Sequence, residues 1–108
     1  MKRGDIFTVT GKGDFSSKPR PAVIIQADLF NDCHPSLTVC PISATLTEDH
    51  LFRIALFPAA TNGLKLESEI EIDKIQAIWL ARVGKHLGAV SEPDMYRVDE
   101  ALRRWLDL

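Results

Sequence analysis

Arg20-Pro21-Ala22-Val23-Ile24-Ile25-Gln26 is the stretch whose reading decides the fold. Pro21 fixes its own φ and drives Arg20 into an extended conformation. Ala22 to Ile25 then runs apolar without alternation, the pattern of a strand buried on both faces. Arg20 therefore stands at the mouth of a rigid core strand. The segment before it, Gly11 to Pro19, is a loop by composition, with two glycines, two serines and a proline. A guanidinium in that place suits a phosphate, because it stays charged and presents a planar fork of donors. The plainer alternative is an arginine paired with a surface carboxylate.

Further strands flank this one. Asp5 to Thr10 alternates, with Ile6, Phe7 and Val9 as its apolar content. Leu37 to Ile42 is another β-branched run, and Pro41 within it predicts an edge or a strand end. Ala44 to His50 reads as loop, Arg53 to Phe57 as a fourth strand and Pro58 to Gly63 as a turn region. Glu67 to Ile75 alternates strictly, with Ile70 and Ile72 on one face and Glu69, Glu71 and Asp73 on the other. The acidic row of Glu67, Glu69 and Glu71 repels phosphates, so it is expected to face away from any groove that holds them. His86 to Val90 predicts a last short strand. Five or six short strands with little helix between them predict a small antiparallel barrel or sandwich.

The chain closes on a helix. Ser91 is placed to cap it, Asp94 stands at the reciprocal box position and Pro93 is tolerated in the first turn. Met95, Val98, Leu102, Trp105 and Leu106 fall on one face at spacings of three and four. That face predicts a helix lying on the barrel.

Length and composition narrow the classes. One domain, residues 1–108, is expected of 108 residues, and 45% hydrophobic against 26% charged residues argues against disorder. Asp5 interrupts the start where a signal peptide would turn apolar, and no run approaches a membrane span, so a cytoplasmic location is expected. A net charge of −2 lacks the overall excess of a general nucleic-acid binder. Any nucleic acid must meet a local patch, and Lys2, Arg3, Lys12, Lys18 and Arg20 crowd the first twenty residues against Asp5 and Asp14. Cys33, His34 and Cys40 fit no standard zinc spacing, and Cys40 reads as a small core hydrophobe. No metal or other cofactor is expected.

Taken in order, RGDIF, RPAVIIQ, VCPIS, GLKLESEIEIDKI and a helix containing VDEAL resemble the MazF/PemK family of toxin endoribonucleases, over roughly Arg3 to Leu106. The resemblance implies an SH3-like barrel with a terminal helix, usually a homodimer. It implies metal-independent cleavage of single-stranded RNA at short motifs, and silencing by a cognate antitoxin. The ribose 2′-hydroxyl attacks the neighbouring phosphate, leaving 2′,3′-cyclic phosphate and 5′-hydroxyl ends. Arg20 matches the family's catalytic arginine, placed to stabilise the phosphorane and to protonate the leaving oxygen. Ser43 matches a hydroxyl position where threonine is common, and serine lacks the methyl that restricts the rotamer.

Two positions depart from the family pattern. The family's loop glutamate is missing. Asp14 is the nearest carboxylate and a candidate acid/base group, while Phe15 occupies the counted position and suits stacking on a base. The family's DQIR-like stretch is DKIQ here, so Asp73 is a candidate to orient Arg20 or read a base edge, and Gln76 joins it as an RNA-binding candidate. Lys12 and Lys18 complete the basic set. A cleft between two protomers lined by Lys12, Lys18 and Arg20 suits RNA or the acidic, disordered tail of an antitoxin. The alternatives are a CcdB-like poison that binds DNA gyrase without cutting, for which Trp105 offers an interface residue, and a relative that binds RNA or antitoxin with weak catalysis or none.

Overall fold

In the computed structural model, which describes residues 1–10 and 18–108, the apolar run becomes the two-faced strand its composition requires. Strand β2 (Arg20–Ile24) lies between β1 (Asp5–Val9) and β3 (Ser36–Ser43), antiparallel to both. Ala22 and Ile24 enter one hydrophobic cluster, while Val23 and Ile25 enter another. β3 repeats the division, with Leu37 and Val39 on one side and Cys40 and Ile42 on the other.

The remaining elements are a short helix α1 (Asp28–Asn31), strands β4 (Arg53–Leu56), β5 (Ser68–Glu71), β6 (Gln76–Trp79) and β7 (Val83–Ala89), and helix α2 (Glu92–Leu106). Strands run in the order β4-β5-β3-β2-β1-β7, and β6 also pairs with β3. A 3₁₀ turn, Leu80–Arg82, joins β6 directly to β7, so β7-β1-β2-β3-β6 curls into a ring. The first cluster is the filling of that ring: Ala22, Ile24, Leu37, Val39 and Ile78, with Phe7, Val9 and Val83 packed against them. The second lies outside the ring. There β4, β5 and α2 cover the other faces of β2 and β3 through Ile54, Leu56, Ile70, Val98, Ala101 and Leu102. This is the expected mainly antiparallel, SH3-like barrel with a terminal helix.

The helix starts as its sequence predicts. The Ser91 hydroxyl oxygen accepts from the Asp94 amide, and Pro93 sits in the first turn. Asp94 does not complete the reciprocal box; its carboxylate accepts from Arg97. At the other end Asp107 takes the left-handed conformation, with its amide bonded to the Arg103 carbonyl.

Two expectations are corrected. Glu67 to Ile75 is not one strand: β5 ends at Glu71, Ile72–Lys74 forms a 3₁₀ turn, and β6 follows as a separate strand. Nor does β3 end at Pro41; it continues to Ser43. The two corrections share a cause. Thr38 turns both backbone groups toward the β2 side: its carbonyl accepts from the Ile25 amide and its amide donates to the Gln26 side chain. Backbone groups alternate along a strand, so Pro41, three residues on, faces the opposite edge and has no amide to offer it. On that edge β6 pairs with Ser36–Val39 and β5 with Ile42–Ser43, and the interruption between them falls at Pro41.

The Pro58–Gly63 turn is locked onto β7. The Asn62 side chain accepts from the Ala59 and Leu64 amides and donates to the Phe57 carbonyl. Gly63 has φ +69°, and a Cβ there would collide with the Leu87 carbonyl oxygen. Gly63→Ala is expected to cost about 1–3 kcal/mol, seen as a lower urea midpoint with an unchanged slope.

Candidate active site at the barrel mouth

The filling of the ring stops short of one end, and three of the candidate residues, Lys18, Arg20 and Gln76, meet there. A pocket of about 120 Å³ has Ala22, Val39 and Ile78 as its floor and Lys18, Arg20 and Gln76 at its rim, with Val9, Pro21 and Pro41 completing the wall. Barrel mouths are common ligand sites because rigid strand ends hold a few polar groups around an apolar floor. Arg20 is the first residue of β2, opposite Val9, and Gln76 is the first of β6, opposite Val39. The Arg20 side chain is exposed and makes no hydrogen bond or ion pair among the described residues. The sequence alternative of a surface ion pair is thus not realised among them.

Ser43 ends β3. The β2–β3 ladder ends at Ala22 opposite Pro41, and Ser43, two residues beyond it, pairs with Glu69 of β5. The Ser43 hydroxyl oxygen accepts from the Thr45 amide at 3.0 Å. That bond uses the oxygen as acceptor and leaves the hydroxyl hydrogen as a donor, the form needed toward an anionic oxygen. Arg20 thus opens β2 and Ser43 closes β3, at the same end of two paired strands.

Asp73 is placed differently from expectation. It lies in the Ile72–Lys74 turn and does not orient Arg20. Arg53 of β4 takes its carboxylate with two donors, Nε to Oδ1 at 2.8 Å and Nη2 to Oδ2 at 3.2 Å, and gives Nη1 to Glu71 at 3.0 Å. The acidic row also does not turn away from the site. Glu69 pairs directly with Ser43, and directly opposed residues share a face. Its carboxylates are partnered internally instead: Glu71 and Asp73 share the single charge of Arg53, and Glu69 accepts two hydrogen bonds from Thr47. Sequence reading missed Arg53. The available signal was the only basic residue of a strand lying beside one whose Glu69 and Glu71 share a face and which runs on to Asp73.

Gln76 keeps its rim position, with its amide donating to the Lys74 carbonyl at 3.4 Å. Lys12, Asp14 and Phe15 lie outside the described residues. His86 packs its ring on Phe7 at 4.9 Å and stands 3.8 Å from Asp5, with no contact to the mouth. Cys40 is a core residue, and burial pushes its thiol up to about 12, so it stays neutral. Trp105, half-exposed, sets its ring edge-on to Phe52.

A family model described as PemK-like, MazF-like toxin of type II toxin–antitoxin systems matches residues 2–106. The chain belongs to this family. A probable endoribonuclease MazF of Mycolicibacterium smegmatis is 38% identical over 108 residues, covering 100% of this chain and 98% of that one. Among solved structures, the Mycobacterium tuberculosis toxin MazF-mt6 superposes with a TM-score of 0.82 at 23% identity, over 96% of this chain and 97% of that one. A mycobacterial endoribonuclease solved with its cognate antitoxin gives 0.82 at 19% identity, over 100% and 96%. At those identities the structural likeness establishes the MazF fold, and the family assignment rests on the sequence match.

The Arg53 clamp has a pH signature. The hydrogen bond from Arg53 holds Asp73 below its ordinary value, against the opposing effect of burial. A depressed carboxylate contributes stability above its unfolded value of about 3.9 and loses it as pH falls toward the folded value. Asp73→Asn is expected to flatten the acid limb of a stability–pH profile below pH about 5. Arg53→Ala, which leaves two carboxylates uncompensated, is expected to cost about 2–3 kcal/mol at pH 7 in urea unfolding.

Proposed function

We propose that this MazF-family chain is the toxin of a toxin–antitoxin pair and cleaves single-stranded RNA by 2′-hydroxyl attack, without a metal. The observation that supports it most is the exposed Arg20 guanidinium at the rim of the barrel mouth, with no hydrogen bond or ion pair among the described residues. The relative's name as an endoribonuclease supports the same reaction class.

In this reading the 2′-oxygen bonds to phosphorus as the bond from phosphorus to the 5′-oxygen breaks. The 2′-hydroxyl proton passes to a carboxylate, for which Asp14 is the candidate, and the leaving 5′-oxygen takes up a proton from Arg20, which regains one from solvent. Arg20 and the Ser43 hydroxyl donate to the non-bridging oxygens, where charge builds in the phosphorane. Lys18 draws in the backbone, and Gln76 offers both a donor and an acceptor to a base edge. The small pocket holds no more than one such group, so a second protomer's mouth extends the groove in a homodimer. Asp73, held by Arg53, contributes by shaping the rim.

The antitoxin solved with the mycobacterial neighbour suggests the protein partner here, a cognate antitoxin. An acidic, disordered tail would fold onto the Lys18–Arg20 rim and exclude RNA. No helix among the described residues is long and apolar enough to cross a membrane. A cytoplasmic site of action fits a messenger RNA substrate.

The test is a long single-stranded RNA incubated with the protein in excess EDTA, with fragment ends mapped. Discrete cuts leaving 5′-hydroxyl ends are expected. Arg20→Ala should slow cleavage roughly 10²–10³-fold with an unchanged melting curve, since the side chain is exposed and makes no bond among the described residues. An intact RNA from the folded wild-type protein would overturn the proposal and turn attention to a protein target such as gyrase.

A further inference from the structure

Glu69 is a carboxylate buried to 7% exposure on β5, with no metal-binding cluster and no ion pair within 4.0 Å to account for it among the described residues. A buried charge is costly unless it is well hydrogen-bonded. Both of its bonds go to one residue: the amide and the hydroxyl of Thr47 each donate to Oε1 at 3.0 Å. Across the strand pair from Glu69 stands Ser43, whose hydroxyl oxygen holds the Thr45 amide. Two neighbouring side chains on one face thus grip alternate residues of the same outgoing segment. Beyond Thr47 the grip continues, with the Asp49 amide on the Thr47 hydroxyl and the Leu51 and Phe52 amides on the Asp49 carboxylate. A segment without regular structure is pinned from Ser43 to the start of β4.

We propose that Glu69 is a positioning residue for catalysis, which fixes the segment after β3 and so holds the Ser43 hydroxyl with its hydrogen toward the mouth. The proposal rests on the reading of Ser43 as a phosphate donor. Serine has three staggered rotamers and, unlike threonine, no γ-methyl to select among them. Here the selection comes from the Thr45 amide, which stays in place only while Thr47 stays on Glu69. The property that matters is the acceptor at Oε1, which the amide of glutamine also supplies. Misplacing a reacting group by about 1 Å costs up to 10²-fold in rate, so the loss belongs in kcat.

Steady-state cleavage of an RNA by the full-length protein tests this, with thermal unfolding and amide exchange of Thr45 followed in parallel. Glu69→Ala is expected to lower kcat roughly tenfold or more with KM nearly unchanged, and to speed exchange at Thr45. Glu69→Gln should stay near wild type. Adding Ser43→Thr to Glu69→Ala should restore most of kcat without restoring the melting temperature, which a merely structural role would not produce. Should Glu69→Ala not fold, Thr47→Val, at an exposed position, removes one of the two donors and should show the same kcat loss in smaller measure. A folded Glu69→Ala or Thr47→Val with wild-type kcat overturns the proposal, as does a Glu69→Gln as slow as alanine. A wild-type protein that leaves RNA intact overturns the ribonuclease reading and this proposal together, whereas active wild type with unaffected variants sinks this one alone.

Discussion

Burial of β2 and β3 on both faces is the constraint on which the structure depends. Strands of this kind cannot end a structure, because each face needs its own cover. Ile24, Leu37 and Val39 are filled over by the curl of the ring, while Val23, Cys40 and Ile42 are covered by β4, β5 and α2. The two cores share only a backbone ladder, so a shift in one moves the other. Arg20 and Ser43 begin and end these two strands. Their relative position is therefore set by the most rigid part of the molecule, which suits a donor pair that must meet a transition state without reorganising.

The electrostatics around the mouth follow a second rule. An acidic strand beside a phosphate site would ordinarily weaken it. The chain keeps the acids and spends each on an internal partner. Arg53 bonds Glu71 and Asp73 from a largely buried position, and Glu69 is consumed by Thr47. What remains unpaired among the described rim residues is the positive charge of Arg20 and Lys18. Net charge over the whole chain, −2, accordingly says little about the field at this one place.

Much of this was legible in the sequence, and the reasons are local. The unbroken apolar run from Ala22 to Ile25 announced a strand covered twice, and Ser91 with Pro93 announced the start of α2. The division of the segment after Glu67 into β5, a turn and β6 was not legible. Alternation continues through the turn, and the break is caused by Pro41 on a different strand. The partner of Asp73 was hidden for a related reason. Which arginine meets it depends on the register of β4 against β5, a quantity that no window along the chain contains. Arg20 and Ser43 are singled out by the family resemblance, while nothing along the sequence singles out Glu69, because the case for it lies in what sits across from it.

The order of the strands also bears on when the protein becomes dangerous to its host. β1 closes the ring against β7, pairing Asp5–Val9 with Val83–Ala89, and the mouth draws its walls from Val9, Arg20 and Gln76. Contacts so distant along the chain form late, because the intervening loop must be ordered first. A nascent chain emerging from the ribosome holds Arg20 early but has no wall from β6 and no closure by β7 until those strands have followed. Synthesis itself thus delays the assembly of the site, an interval in which a partner already present can meet the chain before its mouth is complete.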